Sequence, residues 1–279
     1  MTKRPDLASL NQWYPIHTLS NLPGDEYRDR LLGTEIVVSP RGAREASSAR
    51  VLPILRDYRY LWTSLGSPPS GLFPMPEASE PDSRIVECGS VLVRASGLRI
   101  VENFLDMAHF PFVHTDILGA EPMTEVRHYT TEIRRDADEV WATNCLFFQP
   151  QAAKSAKGGI DTQYMYRVMS PFSTMLYKTS PNAEDRCDLI CLFVQPLEDD
   201  LCRAHPVMYL LDDETPLADL VHFQQLIFLQ DRIILENQRP ILLPLEPRKE
   251  IPTRADASSI AYRRWLKEKG VAYGATGGG

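Results

Sequence analysis

The chain has 279 residues, 43% of them hydrophobic, and a formal net charge of -7 at pH 7. A chain of this length and composition can bury one large core, or a core with a small flanking domain. Acidic and basic residues are interspersed, which argues against a nucleic-acid partner because a phosphate-binding positive surface is missing. No run approaches the roughly 18 apolar residues of a membrane helix, and the N-terminus lacks an apolar signal segment. We therefore expect a cytoplasmic protein without a membrane partner.

The first third of the sequence predicts short strands followed by an irregular stretch. Runs such as LLGTEIVVS and RYLWTSL alternate with turn residues. The stretch GSPPSGLFPMPEASEPDS is too rich in proline, glycine and serine for regular structure. We predict a small β-rich domain over residues 1–65, a linker over 66–83 and a larger domain over 84–279.

Residues 84–279 predict an antiparallel sheet and long helices. The alternating segments are RIVECGSVLVRA, EVRHYTTEIRR, EVWATNCLFFQ, TQYMYRVMS, TMLYKTS, DLICLFVQP and RAHPVMYLL. A long helix is expected from about Pro216 to Gln238, and a last helix in SIAYRRWLKEK, which Asp256 and the serines can cap and Gly270 can end. The predicted class is α+β, with a curved antiparallel sheet closing around long helices.

The stretch VENFLDMAHFPFVHTDILG places polar side chains in a run that otherwise predicts burial. His109 and His114 are five residues apart, so an undistorted helix would point them about 140° from one another. We expect Pro111 to distort the helix between them. Two converging imidazoles suit zinc, copper or non-haem iron, but a histidine pair alone is equally consistent with hydrogen-bonded core residues.

The long helix carries a carboxylate that could act as a third metal ligand. Its apolar stripe comprises Leu220, Phe223, Ile227, Asp231, Ile234 and Gln238. A carboxylate at position 231 requires an ion pair or a metal, and two histidines with one carboxylate are the ligands of non-haem Fe(II) oxygenases. Asp106 can orient His109 through its free ring nitrogen. Competing candidates are Asp116, Glu236, His17, His128, His205 and His222.

Two motifs identify a family resemblance. NFLDMAHFPFVH resembles the Asn, Asp, His, His motif of the catalytic domain of Rieske-type aromatic-ring oxygenases, and FLQDRIILENQ resembles the helix with their aspartate ligand. NQWYPIHTLSNL with RLLGTEIVVS is similar to the start of the Rieske domain, and PTRADASSIAYRRWL to the C-terminal helix. The resemblance implies a helix-grip, START-like catalytic fold. It also implies Fe(II) on His109, His114 and Asp231, electron relay through Asp106, and Asn103 near the metal.

The sequence departs from this family in its first domain. A Rieske [2Fe-2S] centre needs two cysteines and two histidines, and the expected Cys/His pairs do not occur anywhere in the sequence. We therefore expect no [2Fe-2S] cluster in this chain, a Rieske-like remnant without cluster loops over 1–65, and electrons from NAD(P)H through a separate Rieske-containing reductase.

Truncated oxygenase subunits of this kind resemble those of bacterial methylxanthine N-demethylases of caffeine degradation. The resemblance implies O2-dependent conversion of 7-methylxanthine to xanthine and formaldehyde, a glutathione-transferase-like structural subunit and a trimeric core. Two alternatives remain open: demethylation or hydroxylation of another small aromatic compound, and a non-catalytic scaffold or ligand-binding subunit. Candidate substrate contacts, each of which could equally be a packing residue, are Phe147, Gln149, Gln163, Tyr177, Phe193, Gln195 and Phe223.

Overall fold

The computed structural model describes residues 4–155, 158–183 and 185–277. In the N-terminal part of these residues the elements are α1 (Leu7–Leu10), β1 (Tyr14–Thr18), β2 (Tyr27–Leu31), β3 (Thr34–Ser39), β4 (Gly42–Glu45), β5 (Val51–Leu52), β6 (Ile54–Asp57) and β7 (Tyr60–Thr63). In the remainder they are β8 (Arg84–Glu87), β9 (Val91–Val93), α2 (Gly97–Leu105), α3 (Phe110–Val113), β10 (Thr130–Arg134), β11 (Glu139–Gln149), β12 (Ile160–Ser170), β13 (Ser173–Thr179), β14 (Cys187–Glu198), β15 (Leu201–Leu210), α4 (Leu217–Asn237) and α5 (Ala257–Lys269).

The N-terminal strands form two small sheets, one of β1, β7 and β6 and one of β2 to β5. The run LLGTEIVVS is divided between β2 and β3 by a tight hairpin, because Leu32 and Gly33 both adopt positive φ angles of 49° and 78°. The hairpin is fixed on the large sheet: its two backbone N–H groups donate to the carbonyl oxygens of Pro196 and Leu197 at 2.8 Å.

The main sheet has eight strands, in which β10 to β15 follow one another and β8 and β9 both pair with β15. Every pairing in it is antiparallel. The run RIVECGSVLVRA forms two strands, since Gly89 turns the chain with a φ of 76°. The predicted α+β fold is confirmed.

Both faces of this sheet are covered. On its outer face Cys191 and Phe193 of β14 pack with Tyr60 and Trp62 of β7. On its inner face Leu192 shares a core with residues of α2, α4 and α5. Because successive side chains of a strand point to opposite faces, β14 contributes to both cores.

Helix α4 buries Leu220, Gln224, Ile227, Phe228 and Leu235. The predicted stripe was wrong near its end, because Ile234 is 46% exposed and Leu235 is buried instead. Asp231 still lies on the buried face, four residues from Ile227 and four from Leu235, so a carboxylate does interrupt the apolar side of α4.

The final helix ends as predicted at Gly270, which adopts a φ of 74°. Asp256 occupies the residue before α5, but its side chain does not cap that helix. It accepts a hydrogen bond from the N–H of Thr253 in a capping box of the preceding 3-10 turn, Arg254–Asp256. Asp256 therefore stabilises the start of the 3-10 turn and not the start of α5.

The predicted linker over 66–83 contains one 3-10 turn, Pro76–Ser79. Met75 is buried in the outer-face core between the two sets of strands. The division into residues 1–65, 66–83 and 84–279 stays a prediction. None of the helices among the described residues combines the length and hydrophobicity needed to cross a membrane.

Candidate metal centre and adjoining cavity

The motif around His109 and His114 forms two helices rather than one bent helix. Helix α2 ends at Leu105, and Asp106 is already extended, with φ and ψ of -88° and 129°. Pro111 lies in the first turn of α3, where its missing N–H leaves no intrahelical bond unmade. The predicted distortion by Pro111 was wrong. His109 and His114 instead converge because they flank the single turn of α3.

A glycine packs the following turn against α3. A Cβ atom on Gly119 would lie 2.7 Å from the backbone nitrogen of Pro111, so a larger residue could not approach this closely. The N–H of Leu118 donates to the carbonyl oxygen of His114 at 3.0 Å, and the hydroxyl of Thr115 donates to that of Pro111 at 2.8 Å. These contacts hold the backbone that carries His114.

Three potential ligand atoms converge at this point. The Nε2 atoms of His109 and His114 are 3.2 Å apart, and they lie 3.3 and 3.0 Å from Oδ1 of Asp231. With metal–ligand bonds of about 2.1 Å, ligands around one ion are separated by roughly 3 Å, so the spacing fits a single metal. The donor set, two imidazoles and one carboxylate, is that of non-haem Fe(II) sites with open positions.

Each imidazole is oriented by a hydrogen bond to its other ring nitrogen. His109 Nδ1 lies 2.9 Å from Oδ2 of Asp106, and His114 Nδ1 lies 2.8 Å from Oε1 of Gln230. Asp106 is itself fixed, because its Oδ1 accepts from the N–H of Ala108 at 2.7 Å. Such bonds select the tautomer that presents Nε2 to a metal. Sequence reasoning found Asp106 but missed Gln230, whose place beside Asp231 was the available signal.

The electrostatics of the site favour a cation. Burial lowers the pKa of His109, but the carboxylates of Asp106 and Asp231 more than offset this and raise it to about 9. Burial raises the pKa of Asp231, and the two imidazoles reverse that effect and lower it below its usual value. In the metal-free protein a proton on His109 therefore supplies the positive charge that a metal ion would replace.

Among the residues that the structure describes, His109, His114 and Asp231 are the single group of three or more metal-ligating side chains whose ligand atoms all lie within 4.8 Å. The competing candidates do not belong to it; these are Asp116, Glu236, His17, His128, His205 and His222. All five cysteines are free thiols.

The three ligands line one end of an inner cavity of about 100 Å³, bounded by the helices on one side and the sheet on the other. Asn103, predicted to lie near the metal, is part of its wall. So are two of the seven predicted substrate contacts, Gln149 and Phe223. The sheet contributes further wall residues, including Tyr164, Tyr166, Leu176, Lys178, Asp188, Ile190, Leu192 and Met208.

The prediction was wrong for Gln163 and Tyr177, which point away from the cavity. Their neighbours Tyr164 and Lys178 face it, because successive side chains of a strand alternate. Gln163 is exposed. Tyr177 packs in the outer-face core and stacks on Trp141 with ring centroids 6.0 Å apart.

Three further predicted contacts are also absent from the cavity wall. Phe147 packs edge-on against Phe110 of α3, with ring centroids 5.5 Å apart, and so supports α3 from the sheet. Phe193 belongs to the outer-face core. Gln195 is fully buried and is used by the fold: its Nε2 donates to the carbonyl oxygen of Arg30 at 2.9 Å, and its Oε1 accepts from Arg203 at 2.8 Å.

A wider surface groove of about 760 Å³ lies on the other side of the metal centre. Asn103 and His109 line both the inner cavity and this groove, whereas Asp106 lines the groove alone. We call it the Asp106 groove. Its other walls include Ile234, Glu246, Arg248, Glu250, Ile251, Ile260, Arg263, Arg264 and Lys267.

Known proteins resemble this chain in sequence and fold. The family model of the vanillate O-demethylase oxygenase C-terminal domain matches residues 93–272. The probable methylxanthine N7-demethylase NdmC of Pseudomonas sp. (strain TJI-51) is 47% identical, over 96% of this chain and 97% of that protein. The methylxanthine N3-demethylase NdmB of Pseudomonas putida is 24% identical, over 67% of this chain and 51% of that protein.

Two solved structures share the fold. NdmA of Pseudomonas putida CBB5 with caffeine superposes with a TM-score of 0.75 at 18% identity, covering 94% of this chain and 91% of that chain. Dicamba monooxygenase bound to dicamba gives a TM-score of 0.69 at 15% identity, covering 97% and 98%.

The family model, the relatives and the fold agree on one class of protein, the Rieske-type non-haem iron oxygenases. Within this class the chain belongs to the methylxanthine N-demethylase family. The family resemblance drawn from the two sequence motifs is thus confirmed, and the chain is an enzyme component.

Proposed function

We propose that the chain is the catalytic subunit of an N7-demethylase, which converts 7-methylxanthine to xanthine and formaldehyde at a mononuclear Fe(II). The observation that supports this most is the convergence of three ligand atoms at the end of an enclosed cavity. The substrate is suggested by the relative with 47% identity, which is named a probable methylxanthine N7-demethylase.

In this proposal His109, His114 and Asp231 hold the iron. When bound, the iron supplies the activation of O2 and the insertion of one oxygen atom into an N-methyl C–H bond. The balance is one methylxanthine, one O2, two electrons and two protons, giving the demethylated base, formaldehyde and water. Formaldehyde leaves when the hydroxymethyl group on the ring nitrogen breaks its N–C bond.

The chain's own residues restrict where this reaction occurs. Asp106 and Gln230 fix both imidazoles, and all three ligand side chains line the cavity. The walls beside it are mostly apolar and include Phe223 and Ile227 of α4. A planar aromatic ring can pack on such walls, and the enclosure excludes water from the reacting methyl group.

The two electrons must reach the iron from outside the cavity. In the proposal they come from NAD(P)H through the Rieske cluster of a partner reductase, which docks in the Asp106 groove. The Asp106 carboxylate is 26% exposed and directly contacts His109, so it connects the groove to a ligand. Exposed Ile251 gives the groove apolar surface, and its walls mix basic residues such as Arg264 and Lys267 with acidic residues such as Glu246 and Asp256, a composition that can accept a protein partner. The glutathione-transferase-like subunit, the trimeric core and the cytoplasmic location stay predictions.

A reconstitution assay tests the proposed reaction. The iron-loaded chain would be mixed with a Rieske-containing reductase, NADH and O2, and offered 7-methylxanthine beside vanillate. We expect xanthine and formaldehyde in equal amounts, with both dependent on the reductase. Formaldehyde from vanillate alone would show that the substrate is a different aromatic compound. If neither compound yields formaldehyde despite full iron content, the result would favour the alternative that the chain is a non-catalytic scaffold.

Replacing Asp106 tests the path of the electrons. The variant Asp106→Asn keeps the shape of the side chain but loses its charge. We expect nearly full iron content and unchanged substrate affinity, with turnover lowered on the order of 100-fold because electron transfer is slowed. Asp116→Asn is the matched control, since Asp116 is exposed and outside the ligand group. Equal turnover of both variants would remove Asp106 from the path.

A further inference from the structure

The sheet wall of the cavity carries an unexplained pair of opposite charges. Lys178 of β13 and Asp188 of β14 are direct partners across the two strands, and both line the cavity. They are 6% and 3% exposed. A buried lysine and a buried aspartate cost folding free energy unless each gains a partner. A further interaction is therefore needed to offset the cost of burying this pair.

The pair is not fully used by the fold. Among the described residues, Lys178 forms no ion pair or hydrogen bond that would fix its ammonium group. Burial lowers its pKa to about 8, with Asp188 opposing this. Asp188 accepts a hydrogen bond from the N–H of Leu211 at 2.9 Å to Oδ1, and the Ser180 side chain is a second hydrogen-bonding partner of its carboxylate. Burial raises the pKa of Asp188, whereas the Leu211 N–H and the Lys178 ammonium lower it. Both side chains retain hydrogen-bonding capacity towards the cavity.

The neighbouring rows of the sheet suit a planar ring. Two residues along the strands from Lys178 and Asp188, Leu176 pairs with Ile190, and Ile190 pairs with Met208 on the next strand. These three side chains form an apolar part of the cavity wall. Gln149, only 1% exposed, adds a second polar position to the same cavity, and its Oε1 has no hydrogen-bond partner. An acceptor buried in this way needs a donor from a ligand.

We propose that Lys178 and Asp188 are the specificity-determining residues that read a carbonyl group and an adjacent unmethylated N–H on the substrate ring. The ammonium donates to the carbonyl oxygen and the carboxylate accepts from the ring nitrogen. This inference rests on the proposed function. The Oε1 atom of Gln149 is available for a second ring N–H.

The geometry of a xanthine agrees with this arrangement. In 7-methylxanthine the N7-methyl group and the C2 carbonyl with its flanking N–H groups lie at opposite ends of the molecule. The metal ligands lie on helices, and the charged pair lies on the sheet. A ring held by its C2 edge at the sheet can therefore direct the methyl group to the iron. A fully methylated ring has no N–H to donate and would leave the acceptor position of Asp188 that faces the cavity without a hydrogen bond, which a buried site penalises.

Binding measurements without the reductase test the pair separately from turnover. Affinities of the iron-loaded protein for 7-methylxanthine and for caffeine would be measured anaerobically by calorimetry. We expect the wild-type protein to prefer 7-methylxanthine. Lys178→Met should weaken its binding about tenfold or more, with a smaller change for caffeine, so that the preference falls. Lys249→Met is the control, since Lys249 is an exposed lysine outside the cavity.

A double variant guards against misfolding. Lys178→Met alone leaves a buried carboxylate unpaired, whereas Lys178→Met with Asp188→Asn removes both charges and should still fold. The double variant should bind 7-methylxanthine and caffeine nearly equally, and in the reconstituted assay its KM for 7-methylxanthine should rise more than its kcat falls. An unchanged ratio of affinities in a folded double variant would overturn the inference.

The failures of the two proposals can be told apart. If 7-methylxanthine is demethylated but the variants bind it as the wild-type protein does, the charged pair is not a specificity determinant and the proposed function stands. If binding depends on the pair but no formaldehyde forms, recognition of the ring edge by Lys178 and Asp188 is supported and the proposed demethylation is wrong. If 7-methylxanthine does not bind at all, both are wrong.

Discussion

Two clusters of buried charge, one beginning on helix α2 and one just after its end, are built in opposite ways. The arginine cluster comprises Arg99, Glu102, Glu250 and Arg263. Arg99 is 1% exposed and pairs with Glu102 at 3.0 Å and with Glu250 at 2.6 Å. Two guanidinium groups thus face two carboxylates, so the cluster is neutral without any ligand.

The metal cluster, which comprises Asp106, His109, His114 and Asp231, is not balanced in this way. Its two carboxylates face two imidazoles that are neutral in their usual metal-binding state. A proton on His109 offsets one of the two negative charges, and a divalent cation between the rings would offset both. Buried charge by itself therefore does not mark a functional site in this protein. What marks it is charge that the chain leaves uncompensated.

The largest expected effect comes from removing the metal cluster's central carboxylate. Asp231→Ala leaves two imidazole ligands, too few to fix an iron, so iron content and turnover should both be lost. Iron would be measured after anaerobic loading and gel filtration. Full iron and activity in this variant would refute the ligand assignment. The free energy of unfolding of the metal-free protein should change less than in the arginine-cluster variant below.

In the arginine cluster the same kind of deletion should affect stability instead. Arg99→Met leaves the carboxylates of Glu102 and Glu250 facing the Arg263 guanidinium alone, at a cost of about 3–5 kcal/mol in the free energy of unfolding. Denaturant unfolding would measure this cost. Arg264→Met is the control, because Arg264 pairs with Glu268 on the exposed side of α5. Iron affinity of the folded fraction should be unaffected, and its loss would show that the two clusters are coupled.

The proton on His109 predicts how iron binding depends on pH. The carboxylates of Asp106 and Asp231 raise its pKa to about 9, so the metal-free protein binds a proton there at neutral pH. Iron must displace this proton, and its affinity should therefore rise about tenfold per pH unit up to pH 9. Asp106→Asn should flatten this slope by removing one cause of the raised pKa. A pH-independent affinity would contradict the proton exchange.

A smaller pH effect is expected in the arginine cluster. Burial raises the pKa of Glu250, but Arg99 and Arg263 reverse this and hold it below its usual value of 4.5. A lowered folded pKa means that the contribution to stability is present above pH 4.5 and is lost as the pH falls through the folded value. Glu250→Gln should cost about 1 kcal/mol at pH 7 and progressively less below pH 4.5. Parallel stability curves for the two proteins would contradict this.

Much of the fold and the site could be predicted from the sequence. The strand patterns from residue 130 to 210 and the two long helices have clear periodicities, and the structure confirms them. Asp231 was detectable because a carboxylate interrupts an apolar stripe on α4. The segment around Pro111 was misjudged because proline can either distort a helix or begin one, and local sequence does not distinguish the two.

The cavity walls could not be predicted for a different reason. Alternation divides the residues of a strand between two faces, but when both faces are covered each carries apolar side chains. Tyr177 and Phe193 therefore resembled inner residues while lying on the outer face. Lys178 and Asp188 meet through the register of β13 and β14, which the sequence of one strand alone does not contain.

The two-sided placement of His109 and Asn103, which line both the cavity and the Asp106 groove, has a kinetic consequence. If the proposed reductase docks in the groove, the cavity walls outside the groove, including Ser155 and Asn182, stay free of it. Substrate and reductase can then occupy the chain together, so double-reciprocal plots at several reductase concentrations should intersect. Under the proposed function the reductase would then not need to dissociate between delivering the first and the second electron, and turnover would proceed through a ternary assembly of substrate, chain and reductase.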